Sequence, residues 1–164
     1  MVICVVTVSC SSTQKLVGNK TGDLAPDISA TDTNGKVVNL SSLRGKVVLL
    51  EFWDSQNAVS RKNHSEIERL YEKYGQTTFE KGTGLTVYSF SIDKQRDQWI
   101  EAIRADKTTW PYHVCDFKSW DSKAALDYEI ATTPKYYLID GNGVIVKRNI
   151  LVRDLESILT EFKR

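Results

Sequence analysis

A thiol and an imidazole stand two residues apart in this chain, at Cys115 and His113, within a short extended stretch that follows Pro111. Alternate residues of a strand share a face, so this pair could make a reactive thiolate. An apolar strand position more often holds an inert buried cysteine, and the reactive pair is the lesser reading. A second polar group, Gln56, Asn57, Ser60 and Arg61, gathers at the start of a predicted helix. Free amides at a helix start favour anions and peptide carbonyls, while Asp54 just ahead adds opposing negative charge. An ordinary capped helix accounts for the same residues. His64 reads as a half-exposed residue in the middle of that helix. Two histidines among scattered acids give no spacing of metal ligands, and neither metal nor cofactor is expected. Of the four tryptophans, Trp53, Trp99, Trp110 and Trp120, core packing is the default. Only Trp53, beside the polar group, is expected to reach the site surface.

The elements that position these residues follow from periodicity. Residues 46–52 (KVVLLEF) are almost unbroken apolar and β-branched, as in a central strand buried on both faces. Between residues 59 and 74, Val59, Ile67, Leu70, Tyr71 and Tyr74 fall on one helical face. A strand over residues 85–92 ends at Asp93. A helix over 95–105 turns Trp99, Ile100 and Ile103 inward, and a short helix covers 122–128. Two hairpins are marked by turn dipeptides: one around Asn34-Gly35, the other joining residues 135–139 to 144–147 across Asp140-Gly141-Asn142-Gly143. Leu155, Ile158, Leu159 and Phe162 give a last helix its apolar face. Parallel strands joined by helices, then an antiparallel hairpin and a closing helix, describe a three-layer α/β sandwich.

The chain has 164 residues, 41% hydrophobic and 26% charged, which suits one domain with a sizeable core. Its 22 basic and 21 acidic residues are interspersed, so neither nucleic acid nor a polybasic membrane contact is expected. Two of its three cysteines, Cys4 and Cys10, lie in an apolar opening that resembles a bacterial lipoprotein leader, with Cys10 as the acylated residue. The polar stretch after it reads as a tether. The expected division is therefore a leader and tether over residues 1–21 and a folded domain over 22–164, with Cys115 as its one free thiol.

Several short segments, in order, carry a family resemblance: Ala25-Pro26-Asp27, Leu43-Arg44-Gly45-Lys46-Val47-Val48-Leu49-Leu50, Phe52-Trp53, Arg61-Lys62, Thr133-Pro134 and Tyr137-Leu138-Ile139-Asp140-Gly141-Asn142-Gly143. From about Gly22 onward the chain resembles the TlpA/ResA and AhpC/TSA-type redoxins, thiol-disulfide oxidoreductases of thioredoxin fold. The resemblance implies a central mixed sheet with an extra N-terminal β-hairpin. It also implies a redox cysteine at the start of the first helix, its thiolate favoured by the helix dipole, and a second one turn later. Asn57 and Ser60 stand in those places. Asn57 is no nucleophile, and the sequence offers Ser60 no adjacent base, so the two-sulfur route is excluded. The resemblance further makes Glu51 a relic of the buried acid beneath the cysteine pair and Pro134 the cis-proline beside the site. The implied role is binding of an extended peptide or partner protein by Trp53, Gln56, Asn57, Ser60, Thr133 and Pro134, in an envelope protein anchored through Cys10. The alternatives are an oxidoreductase or other enzyme using Cys115, and a purely structural scaffold.

Overall fold

The apolar run read as a central strand forms β3 (Val47–Trp53), and all seven of its residues are buried. The computed structural model describes residues 15–164, so Cys4, Cys10 and the rest of the leader lie outside the described residues. An N-terminal hairpin, β1 (Ser29–Asp32) and β2 (Val37–Asn39), precedes β3, and α1 (Ala58–Tyr74) follows it. A small hairpin not foreseen from the sequence, β4 (Thr78–Phe79) and β5 (Gly82–Thr83), leads into β6 (Leu85–Ser91). Then come α2 (Arg96–Asp106), β7 (Tyr112–Cys115), α3 (Lys123–Asp127), β8 (Lys135–Ile139), β9 (Ile145–Arg148) and α4 (Val152–Glu161).

Seven strands form one mixed sheet in the order β2-β1-β7-β6-β3-β8-β9. β3, β6 and β7 run parallel, while β8 runs against β3 and β1 against β7. The carboxyl ends of the three parallel strands therefore share one edge with the start of β8, which is where a sheet of this kind places ligands.

Strand alternation divides the core. Val48, Leu50 and Phe52 face one side, where Phe52 packs against Phe90, Tyr128 and Tyr137. Val47 and Leu49 face the other, against Ile67 and Leu70 of α1 and Leu155 and Leu159 of α4. Glu51 and Trp53 fall on this second side, toward α1 and α2. The ring of Trp53 is consequently buried with Trp99, Ala102 and Cys115, which corrects its expected place on the site surface. Trp120 departs the other way and is 43% exposed.

The composition of residues 11–21 suggests a tether as far as residue 21, but the last of these residues are built into the domain. Leu24 N donates to Leu16 O at 2.8 Å, Gly22 N to Ile145 O at 2.8 Å, and Arg148 Nη1 to Asn19 O at 3.0 Å. The hydrogen-bonded domain thus reaches back to Leu16. Among the described residues no helix is long and apolar enough to cross a membrane.

Candidate functional site

At the sheet edge where β3 ends and β8 begins, Asn57 joins two segments that are 76 residues apart in sequence. Its backbone is extended (φ −85°, ψ 108°), and its Oδ1 accepts from Val59 N at 2.9 Å and Ser60 N at 3.1 Å, capping α1. Its Nδ2 donates to Thr133 O at 3.0 Å and Thr133 Oγ1 at 3.3 Å. The Thr133–Pro134 peptide bond is cis. Asn57 is therefore both a cap and a latch to the proline loop. Asn57→Ala should lose about 1 kcal/mol of capping and about 1 kcal/mol of hydrogen bonding. Asn57→Asp, which keeps the cap acceptor but loses the donor to Thr133, should lose only the second part. Denaturant melts of the two variants check this.

A buried carboxylate holds the loop ahead of Asn57. Asp93, just past β6, accepts from Ser55 Oγ at 2.6 Å, Ser55 N at 3.2 Å and Ser91 Oγ at 2.5 Å. Gln56 is exposed, with Nε2 donating to Ser55 Oγ at 3.3 Å, and Asp54 Oδ1 accepts from Gln56 N at 2.7 Å. Ser60 is fully buried, and its Oγ has no hydrogen-bond partner.

One turn beyond Ser60, His64 is fully buried rather than half exposed. The buried stripe of α1 is Ser60, His64, Ile67, Leu70 and Tyr74, whereas Val59, expected inside, is 57% exposed. His64 Nδ1 lies 2.7 Å from Asp106 Oδ2 at the end of α2, and Nε2 lies 3.3 Å from Glu51 Oε1, out of hydrogen-bond alignment. Glu51 is fully buried, with Oε2 accepting from Ser89 Oγ at 2.6 Å. Asp106 also accepts from Arg61 Nε at 2.5 Å, and Arg61 Nη1 donates to Ser55 O at 3.2 Å. Burial opposes a charge on His64, but Glu51 and Asp106 outweigh it and hold the imidazole above its ordinary range. Among the described residues no three metal-ligating side chains are grouped to hold an ion.

The Cys115–His113 pair foreseen on one strand face does not form a reactive couple. Cys115 Sγ donates to Asp93 O at 3.4 Å and packs among Trp53, Trp99 and Ala102. Burial pushes its thiol up to about 12, so no thiolate is present near neutrality. Iodoacetamide should leave Cys115 unmodified in the native protein and label it once guanidinium unfolds the chain, which mass spectrometry can read.

His113 stacks on Trp110 with centroids 5.1 Å apart, and its Nε2 meets Thr108 Oγ1 at 3.1 Å. Burial, and then nearby His64, push His113 down to about 3. The two histidines therefore act oppositely on stability. The contribution of His113 is complete above its unfolded pKa of ~6.5 and is lost as pH falls toward the folded value. That of His64 is complete below ~6.5 and is lost as pH rises through its folded value. Melting temperatures across this range should fall on both sides, and His113→Phe should flatten the acid side.

Beside the latch, Val59 (57% exposed) and Leu151 (53% exposed) line a groove of about 740 Å³ with Lys62, Asn63, Glu66 and Arg153. Sequence reasoning singles out neither Leu151 nor Asp93 nor Asp106 as a site residue. Asp93 is visible there only as the residue that ends a strand.

The redoxin family model matches residues 20–161. Thioredoxin-like protein YneN of Bacillus subtilis is 29% identical over 132 residues, covering 80% of this chain and 72% of that protein. Thiol-disulfide oxidoreductase ResA of Bacillus cereus is 26% identical over 129 residues, covering 79% and 69%. Among solved structures, the thioredoxin domain of a thiol-disulfide oxidoreductase from Bacteroides vulgatus superposes with a TM-score of 0.79 at 29% identity, covering 88% of this chain and 99% of that one. A thiol:disulfide interchange protein from Bacteroides sp. gives 0.77 at 28% identity, covering 88% and 90%. Sequence match and thioredoxin-like architecture agree along almost all of the described chain: it belongs to the redoxin family, in its TlpA/ResA-like branch.

Proposed function

We propose that this chain is a redox-inactive member of its family that binds an extended peptide or a segment of a partner protein at the Asn57/Pro134 face, in place of exchanging disulfides. The observation that carries the reading is the latch. Asn57 spends both ends of its side chain on the α1 amides and on Thr133, and Ser60 is buried beneath it with no thiol at either position. Cys115 offers no substitute, being buried and held as a thiol. The Thr133 carbonyl already accepts from Asn57, so recognition falls on the rest of the proline loop and on the exposed apolar side chains Val59 and Leu151. An extended segment that sets apolar side chains on Val59 and Leu151 beside the polar Lys62, Asn63 and Glu66 suits that groove.

The envelope placement rests on the leader, with Cys10 as the lipid-bearing residue. Gly22 and Ala25 hydrogen-bond beside the β8–β9 turn, at the sheet end opposite the latch. The test is amide chemical-shift mapping on the full chain with a library of extended, apolar decapeptides free of cysteine. Saturable shifts at Gln56, Asn57, Ser60, Thr133 and Leu151 that vanish in Val59→Asp are expected. Absence of saturable shifts at this face would overturn the reading.

A further inference from the structure

The one histidine of α1 stands in a chain of alternating charge that the binding face does not use. Arg61, Asp106, His64 and Glu51 follow one another at 2.5, 2.7 and 3.3 Å, from the partly exposed guanidinium inward to a carboxylate with no exposure at all. The four groups come from three elements: Arg61 and His64 from α1, Asp106 from the end of α2, and Glu51 from the middle of β3. We propose that this chain is a proton-linked clamp, closed when His64 carries a proton on both ring nitrogens and loosened when one proton leaves.

The geometry dictates the direction. A doubly protonated imidazole donates to Asp106 from Nδ1 and sets its positive charge 3.3 Å from Glu51 Oε1, so cations and carboxyl groups alternate along the clamp. A neutral imidazole keeps only one N–H. Either Asp106 or Glu51 then faces a bare ring nitrogen, and Glu51, which accepts from Ser89 Oγ, loses the cation beside its buried carboxyl group. The path to solvent is Asp106, which is about one-tenth exposed and shared with Arg61.

The other titratable groups around the clamp do not supply its proton. His113 on β7 is neutral over the same range, because burial pushes it down to about 3. Tyr136 on β8, opposite Glu51 in the sheet, is held protonated by burial and then by Glu51 itself, and its hydroxyl accepts from Asn63 Nδ2 at 3.1 Å. Glu101 and Asp93 also act on Arg61 and favour its charge. Trp53 and Trp110 close the remaining sides edge-on, at centroid distances of 4.7 and 5.6 Å from the imidazole. His64 is thus the imidazole whose proton links the two carboxylates. Because α1 also begins at the Asn57 latch, loosening the clamp frees the helix that carries the candidate face.

The chain holds two histidines, which makes the test direct. In the full-length protein, imidazole 15N and 13C shifts are followed against pH together with amide-exchange protection factors in α1 and at the end of α2. The His64 ring should titrate above the free value of ~6.5, with His113 silent there, and protection at residues 60–67 and 103–106 should drop about tenfold or more with the same midpoint. Asp106→Asn should lower that midpoint by roughly one pH unit while the fold persists. His64→Gln should remove the pH dependence of protection, and Glu51→Gln serves if that variant does not fold. A His64 midpoint at or below the free value, a midpoint unmoved by Asp106→Asn, or protection flat through the titration would each overturn the proposal. Peptide binding plays no part in these readouts.

Discussion

Replacing Asn57 and Ser60 together by cysteine should install two-sulfur disulfide exchange at the start of α1. The frame needed for that chemistry is in place. A thiolate at position 57 would take over the amides of Val59 and Ser60 that Asn57 Oδ1 now occupies, at the positive end of a 17-residue helix. A helix start of this kind lowers a thiol from ~8.5 to ~7 or below, raising the thiolate fraction at neutral pH from ~3% to ~50% or more. Position 60 is buried one turn on, and Glu51 lies fully buried on the β3 face directed at α1. The thiolate introduced at position 57 would attack a substrate disulfide, forming a mixed disulfide and releasing one substrate thiolate. The thiol introduced at position 60 would then displace the second, leaving the protein oxidised, and dithiothreitol would reduce it again. Reduction of insulin by the double variant with dithiothreitol should rise well above the uncatalysed rate, while Asn57→Cys alone, mixed with insulin without dithiothreitol, should accumulate as a mixed disulfide. A folded double variant without turnover would show that Asn57 has reshaped the site as well as replaced its sulfur.

The largest loss of stability is expected from Asp93→Ala. This carboxylate accepts from Ser55 Oγ, Ser55 N and Ser91 Oγ, all buried, and so fastens the loop after β3 to the end of β6. Hydrogen bonds to a charged acceptor contribute about 1.5–3 kcal/mol each, and donors stranded out of water cost further. Some relaxation of the two serines offsets part of this, leaving an expected loss of about 3–5 kcal/mol, or roughly 10 °C in melting temperature for a domain of this size. Asp93→Asn, which retains an acceptor, should lose less than half as much. The hydrogen bonds of Asn57 to Thr133 depend on that loop, so amide exchange at Asn57 and Val59 should quicken in Asp93→Ala well before global unfolding. Unchanged exchange there would mean that the latch is held by α1 alone.

The sheet is readable because its signals are local. The run Val47–Trp53 is apolar throughout, as a strand covered on both faces must be, and Asn34-Gly35 and Asp140-Gly141-Asn142-Gly143 mark their turns by backbone chemistry. Asn57 is legible too, as a preferred N-cap at the place where the resemblance puts a cysteine. The interior of the site is not. Polarity argues against placing His64 and Ser60 on the buried face of α1, yet they are on it, because what makes His64 tolerable there is Asp106, 42 residues on, and Glu51 on another element. Hydrophobicity alone puts Val59 inside, and it faces outward. The sequence neighbours of Trp53 suggest the surface, whereas strand alternation turns it with Glu51 into the α1–α2 layer. Residues 16–21 read as a tether from their composition, because the Leu24 backbone and the Arg148 side chain that hold them leave no mark in their own sequence.

The measurement that tests the account most directly is turnover of a disulfide substrate by the unaltered full chain, with dithiothreitol as reductant and Cys115→Ser beside it. The account predicts no rate above the uncatalysed reaction for either protein. A catalysed rate that disappears in Cys115→Ser would contradict it, because a thiol buried among Trp53, Trp99 and Ala102 would then be reaching substrate.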